Sequence, residues 1–276
     1  MHPLHVFLAA TLALGAAVAA AQPATQAFQP VIGQAGKDVV WVPTPERLIE
    51  RMLQMADTTS KDVVIDLGSG DGRIPIAAAK KFGAQAIGVE FDAELVQYSI
   101  RAAARAGVSR RVRFAREDFF RTDLSRATVV TLYVSPTVML KLRPRLLALK
   151  PGTRVVSHQF TLGDWEADET ASVEGVHAYL WVVPASAAGK WLLKLGGDAY
   201  ALSLNQEYQF LRGSAESGGR NSPIVAGRVR GETIRFSFAD KNGDVRSFSG
   251  RIGAERMEGT ARLQEVPDLS WQASRR

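Results

Sequence analysis

Apolar and polar positions follow two different rhythms along this chain. From Pro43 to about Pro184, short apolar runs take turns with segments whose apolar residues recur every three or four positions. Leu48, Ile49, Met52, Leu53 and Ala56 keep helical spacing behind Thr44-Pro45-Glu46, which reads as a helix start with Thr as cap and Pro in the first turn. The series continues as strand 63–67, helix 73–82, strand 85–90, helix 93–106, strand 111–116, strand 128–133, helix 137–149 and strand 153–158. Lys150-Pro151-Gly152 is a helix-stopping turn. Strand–helix alternation of this kind predicts an α/β unit: a Rossmann-like parallel sheet with flanking helices on both faces.

From about Ser186 the rhythm shortens to strands separated by glycine turns. The segments KWLLKL, AYALSL, EYQFLR, PIVAGRV, TIRFSF, VRSFSGRI, MEGTARL and LSWQAS are the expected strands. Asn242-Gly243 between two of them is a strong hairpin signal. Gly227-Arg228-Val229 with Ile234 recurs as Gly250-Arg251-Ile252 with Met257, an echo that predicts two similar hairpins. The expectation is a small C-terminal all-β domain, an antiparallel barrel or sandwich, over residues 190–276, with Ala185 to Gly189 as the joint. Trp191, Tyr200, Tyr208, Phe236, Phe238, Phe248 and Trp271 alternate within it and read as core rather than as a ligand box.

The first 36 residues carry no Asp, Glu, Lys or Arg, and Val6 to Ala20 is apolar and rich in Ala and Leu. Ala19-Ala20-Ala21 then offers small residues before Gln22-Pro23, which is the pattern of a secretory signal peptide over 1–21. An uncleaved membrane anchor is the other reading of the same span. Residues 22–37 read as a flexible linker and residues 38–184 as the first folded domain. An exported location, periplasmic or in the cell envelope, is the expectation.

Composition narrows the chemistry. The 276 residues include no cysteine, so disulfides, cysteine–zinc sites and thiol nucleophiles are excluded. The histidines are His2, His5, His158 and His177, and two of the four lie in the leader, so no histidine-rich metal centre is expected. The formal charge of +6 reads as a solvated basic surface, because no Lys/Arg-rich block of the kind that grips phosphates is present and no nucleic-acid signal follows from it.

VVIDLGSGDGRI, residues 63 to 74, places Gly68, Ser69, Gly70 and Gly72 between a strand and a helix. Such a turn lets a ligand lie against bare backbone at the carboxyl edge of a sheet. The spacing is G-x-G-x-G, and Arg73 stands where a dinucleotide loop keeps its last glycine. Asp66 and Asp71 make the loop acidic, which repels a pyrophosphate and attracts a sulfonium or an ammonium. S-adenosylmethionine (SAM) carries both cations and no phosphate, so the loop favours SAM over NAD. Glu90 closes the next strand, where an acid accepts from ribose hydroxyls. Asp118 and Phe119 follow the third, where an acid accepts from an adenine amine and an aromatic packs on the ring.

VVIDLGSGDGRI, GVE and REDFF resemble the successive motifs of class I SAM-dependent methyltransferases. With VVWVPTPERLIERML before them and TVVTLYVSP and VVSHQFTLGDW after them, residues 38 to 184 resemble the small lysine methyltransferases related to the enzyme that methylates the ATP synthase c subunit, and their bacterial relatives. The resemblance implies a class I methyltransferase sheet, SAM as cofactor and a protein or small-molecule amine as acceptor. It implies that Thr44, at a helix entry, folds over the cofactor. Members of that family often carry His-Asp where this chain has His158-Gln159. The resemblance stops short of the leader and the β domain.

Methyl transfer from a sulfonium needs positioning and desolvation rather than a nucleophile or metal from the protein. The acceptor is expected over the ends of strands four and five, where Tyr133, Ser135 and His158 lie. His158 suits a general base with a pKa near neutrality, or a structural hydrogen bond. Tyr133 suits a catalytic hydroxyl or a core aromatic, and Ser135 a helix cap. Asp164-Trp165 reads as a packing corner, and His177 as a late-strand residue. The first functional reading is SAM-dependent methyl transfer to an amine, a protein lysine above all. The second is an exported, non-catalytic binding protein that keeps the methyltransferase shell and recognises a ligand or partner through the β domain.

Overall fold

The computed structural model describes residues 28–276; the leader and the first six residues of the predicted linker lie outside the described residues. Among the described residues no helix is long and apolar enough to cross a membrane.

The first domain runs α1 (Glu46–Met55), β1 (Val63–Leu67), α2 (Arg73–Phe82), β2 (Gln85–Glu90), α3 (Ala93–Arg105), β3 (Val112–Arg116), β4 (Val129–Leu132), α4 (Pro136–Leu147), β5 (Arg154–His158), β6 (Glu169–Val173) and β7 (Val176–Val182). The sheet order is β3-β2-β1-β4-β5-β7-β6. The first five strands are parallel, but β7 runs antiparallel to both β5 and β6. The sheet is therefore mixed, where alternation alone predicts a purely parallel one. Coverage of the faces is also uneven. Leu48, Met52 and Leu53 of α1, Ile74 and Ala78 of α2 and Ala103 of α3 share one core with Val64, Ala86 and Val112. The opposite face packs Ile65, Leu67, Val130, Leu132 and Val155 against Val138, Met139, Leu142 and Leu146 of α4. No helix joins β3 to β4, so the α4 side of β2 and β3 is partly bare.

The sheet order sets β1 next to β4, and the chain reverses its winding there. The carboxyl ends of β1 and β4 thus flank a crevice at the switch point, the usual ligand position in open α/β sheets. Thr44 does not cap α1. Pro45 holds the cap position without a side-chain bond, and the Thr44 side chain is buried elsewhere, as described below.

The second domain contains β8 (Gly189–Leu195), β9 (Asp198–Glu207), β10 (Phe210–Ser217), β11 (Arg220–Pro223), β12 (Val225–Arg230), β13 (Thr233–Ala239), β14 (Val245–Ile252), β15 (Arg256–Leu263) and β16 (Val266–Arg275). Pairing of β8 with β16 and of β9 with β10 closes eight of these into an antiparallel barrel, with β11 as an extra strand on β10. The interior is filled. Trp191, Tyr200, Phe236, Phe238, Phe248 and Trp271 are all within 2% of complete burial, and Phe236 and Phe248 stack across strands at 4.9 Å. The predicted echo is real: Val229 pairs with Ile234 and Ile252 with Met257 at the tips of two hairpins.

Three expectations change. EYQFLR is no single strand, because Tyr208-Gln209 turns between β9 and β10 with Tyr208 at φ +52°. PIVAGRV divides at Ile224 between β11 and β12. Asn242-Gly243 sits within a five-residue loop, not a two-residue turn, since Ala239 pairs with Val245. The Asp240 carboxylate organises it, accepting from the N–H groups of Asn242 and Asp244 and from Arg246 Nε at 2.7 Å.

Tyr208 leaves the barrel core for the boundary between domains. Its hydroxyl donates to Asp164 Oδ2 at 2.9 Å and its ring stacks on Trp165. Trp165 is fully buried at the corner after β5. Nearby, Arg228 pairs with Asp168 at 2.9 Å and Gln209 Nε2 donates to the Glu166 carbonyl. The joint is held as well: Gln206 accepts from the Ala187 N–H and donates to the Ala185 carbonyl.

Candidate active site

The crevice is lined by Asp66, Gly68, Ser69, Gly70, Asp71 and Arg73 from the β1–α2 turn, by Glu90 and Phe91 after β2, by Asp118 and Phe119 after β3, and by Tyr133 after β4. Residues 35 to 44, with Ile74 and Leu95, form its remaining wall. The sequence-predicted set thus converges, except that Gly72, Ser135 and His158 lie behind or beside the lining.

The turn is tight because its glycines take backbone conformations that side chains resist. Gly68 and Ser69 both donate N–H to the Val89 carbonyl at 2.9 Å, which ties the turn to β2. At Gly70, φ is +53° and a Cβ would stand 2.3 Å from the Trp41 indole nitrogen. At Gly72, which starts α2, φ is +79° and a Cβ would meet the Phe114 ring at 2.5 Å. Gly70 therefore faces the crevice and Gly72 faces the core.

Asp66 is fully buried at the end of β1 and accepts from Thr131 Oγ1 at 2.6 Å. Burial pushes its pKa up to about 7, against the Thr131 hydrogen bond and with help from the charges of Glu90 and Asp71. No cation of the described residues pairs with it. Asp71 is different: Arg73 binds it, through Nη2 at 2.6 Å, and also reaches the Thr44 carbonyl at 3.1 Å. Glu90 Oε2 accepts from the Gly70 N–H at 2.9 Å, and Oε1 accepts from the N–H groups of Phe91 and Asp92. A carboxylate has roughly four lone-pair sites, so the three backbone bonds leave about one for a ligand hydroxyl.

Asp118 is engaged on both oxygens. Oδ1 accepts from the Phe120 N–H, and Oδ2 accepts from Lys37 Nζ at 2.6 Å. The Lys37 hydrogen bond holds the Asp118 carboxyl below its ordinary range. Lys37 also lies over the Phe91 ring. It belongs to a loop closed by Gly33 N–H to Trp41 O at 2.9 Å and Trp41 N–H to Gln34 O at 3.0 Å. Residues 35–37, the end of the segment 22–37 that composition marks as linker, thus reach the crevice. Lys37, Trp41 and Thr131 are contributors that the sequence reading does not name, and Arg73, noted there only for displacing a glycine, holds Asp71. Only the aromatic in VVWVPTP, just before a helix start, hints at a lid.

Beside the crevice, Tyr133 and His158 stack at 3.7 Å, with Phe160 at 6.2 Å from Tyr133. His158 Nδ1 lies 3.0 Å from Thr44 Oγ1, a bond that fixes the ring plane whichever atom carries the proton. Burial lowers the His158 pKa to about 4, so the near-neutral value expected from sequence is not realised and the ring is uncharged at pH 7. Burial also raises the Tyr133 hydroxyl, which stays protonated. Ser135 takes the N-cap position of α4 with no side-chain cap bond; its carbonyl accepts the Met139 N–H. Gln159, with φ +68°, folds back on the backbone of His177, which lies on β7 as expected.

The donor set fits a cationic, phosphate-free nucleoside ligand. Among the described residues the buried carboxylate at one end has no cation and the buried Ser69 hydroxyl no partner, and acids follow at the ends of β2 and β3. Asp66 and Ser69 would hold the amino-acid end, Glu90 the ribose, and Asp118 with Phe119 the base.

Comparison with known proteins agrees. The family described as the ANTKMT methyltransferase domain matches residues 66–169. A protein-lysine N-methyltransferase of Saccharolobus islandicus is 42% identical over 151 residues, covering 52% of this chain and 94% of that protein. The mouse lysine N-methyltransferase named for the ATP synthase c subunit is 34% identical over 53% of this chain, which spans only 58% of that relative. A crystal structure of an RNA methyltransferase from Salinibacter ruber with S-adenosyl-L-homocysteine is 49% identical and superposes with a TM-score of 0.52 over 52% of this chain and 95% of that one. An acid-lined crevice at the β1/β4 switch point and the Saccharolobus and Salinibacter relatives, matched over nearly their whole length, lead to one conclusion: this chain belongs to the ANTKMT-type family of SAM-dependent methyltransferases.

Proposed function

We propose that the protein transfers a methyl group from SAM to the ε-amine of a protein lysine. The observation that carries the reading is the uncharged wall beside the crevice, built from Tyr133, His158, Phe160 and Thr44. The bound cofactor supplies an electrophilic methyl on a sulfonium. The protein's own task is to bring in an amine that has shed its proton, since the lysine reference pKa is about 10.4. A half-buried aromatic wall disfavours the ammonium form and lowers that value. His158, uncharged at pH 7, adds no repulsion, and its bond to Thr44 ties the wall to the segment that closes the crevice. Gln159, turned onto β7, supplies no acid here. The archaeal relative, named as a protein-lysine methyltransferase, supports the choice of acceptor.

The test is mass spectrometry of lysine-bearing proteins incubated with the full chain and SAM carrying a trideuterated methyl. Label on lysine Nε is expected, and reductive blocking of lysines should abolish it. Label appearing on RNA, the substrate class named for the Salinibacter relative, and not on protein would overturn the reading. The barrel interior is filled by its own side chains, so the non-catalytic alternative would recognise a ligand or partner through the outer surface of the β domain. We propose export as well, on the pattern of residues 1–21. Amino-terminal sequencing of the envelope fraction should find a start near Gln22; a start at Met1 would leave an anchor or no export at all.

A further inference from the structure

Residues 101 to 126 contain eight arginines, no lysine and three acids. All eight arginines are exposed. None pairs with an acid of the described residues. The three acids are occupied: Asp118 by Lys37, Asp123 by the turn at Ser125, and Glu117 by the Thr122 hydroxyl. The sequence reads as a dispersed basic surface; in the fold Arg113 and Arg116 lie on β3, an edge strand, with Arg110 and Arg111 in the turn before it. Arg110, Arg111, Arg113 and Arg126 rim a groove whose floor includes Val63 and Ile87, on the face that no β3–β4 helix covers.

The edge itself offers backbone. The Arg111 carbonyl and the Glu117 N–H are bonded to β2, so by strand parity the intervening even-numbered residues point outward. The N–H and C=O groups of Phe114 and Arg116 therefore face away from the sheet without a partner among the described residues. We propose that this edge docks an acidic, extended segment of a protein partner, which joins the sheet as a strand beside β3. Phosphate chains and lipid headgroups match the arginines but bring only acceptors, and would leave the outward carbonyls unpaired. A peptide strand supplies donors and acceptors alternately, and its carboxylates meet guanidinium groups suited to planar oxyanions. The same charges repel ordinary strands and so keep the edge from indiscriminate pairing.

The docked segment is not the one methylated. It would lie four strand spacings from β4, about 19 Å, a gap that roughly six extended residues span. The proposal concerns docking and stands independently of the acceptor's identity.

The experiment is fluorescence anisotropy of the full chain with a labelled twelve-residue peptide of alternating threonine and glutamate. Saturable binding is expected, weakening about tenfold between low and moderate salt. The triple variant Arg110→Glu, Arg113→Glu, Arg126→Glu should bind at least about tenfold more weakly. These three side chains make no hydrogen bond within the described residues, so the variant should keep the parent's circular dichroism and melting. A peptide N-methylated at alternate residues keeps its charge but cannot join a sheet, and should bind about tenfold more weakly still than its parent. Equal binding of the two peptides, or no loss in the variant, overturns strand docking. So does tighter, variant-sensitive binding of a single-stranded oligonucleotide or of phosphatidylserine vesicles.

Discussion

Asp66 and His158 are buried ionisable residues that burial moves in opposite directions, to about 7 and about 4. Unfolded histidine takes a proton below about 6.5. Folded His158 resists until about 4, so the stability that comes from keeping it neutral is lost as pH falls through that window. Asp66 has the opposite sign: the fold retains its proton up to about 7 while the unfolded chain releases it near 3.8, so its contribution is lost as pH rises between those values. His158→Phe keeps a ring against Tyr133 and removes one titration. Between pH 6.5 and 5 the variant should lose less stability than the parent, by about 2 kcal/mol at one pKa unit per 1.36 kcal/mol. Parallel urea-denaturation curves at the two pH values would count against this. At this scale Asp66, Glu90 and Asp118 are legible in the sequence because each follows a short apolar run that must be a strand. Lys37 on Asp118, Arg73 on Asp71 and Trp41 on Gly70 are not, because only closure of the chain upon itself brings them together.

Among the elements, the barrel hairpin β14–β15 depends on a glycine pair. Gly250 faces Gly259, and a Cβ on Gly259 would stand 1.9 Å from the Ser249 carbonyl oxygen. On Gly250 it would stand 2.6 Å from the Trp271 ring. Gly250 makes room for that indole, and Gly259 for the close approach of the Ser249 and Gly250 backbone. Gly259→Val should cost more than about 2 kcal/mol through overpacking. Gly197→Ala, at a turn with nothing within 4 Å, should change stability by less than about 0.5 kcal/mol. Equal effects in chemical denaturation would refute the packing argument. The barrel strands are legible because strict alternation survives in them. The break at Tyr208-Gln209 is not, since alternation runs straight through it without glycine or proline. Strand β6, ETASV, is equally silent: half-exposed at the sheet edge, it has no apolar run.

For the whole molecule, sequence leaves barrel and sandwich open because closure rests on β8–β16 and β9–β10 pairings, the first between strands from opposite ends of the domain. The contacts between the α/β unit and the barrel, Tyr208 to Asp164 and Arg228 to Asp168, are not readable in the sequence. They fix the barrel to the loop after β5, on the far side of the sheet from the arginine-rich β3 edge. The central claim is that the acid-lined crevice holds SAM, with Asp66 as the charge that receives its cationic end. Calorimetric titration of SAM into the full chain and into Asp66→Asn, at pH 6 and pH 7, tests it most directly. A cation favours ionised Asp66, so wild-type affinity should rise by up to about tenfold across that interval, and Asp66→Asn should bind weakly with no such rise. No heat with millimolar SAM, or equal affinity and pH dependence in the variant, would contradict the account.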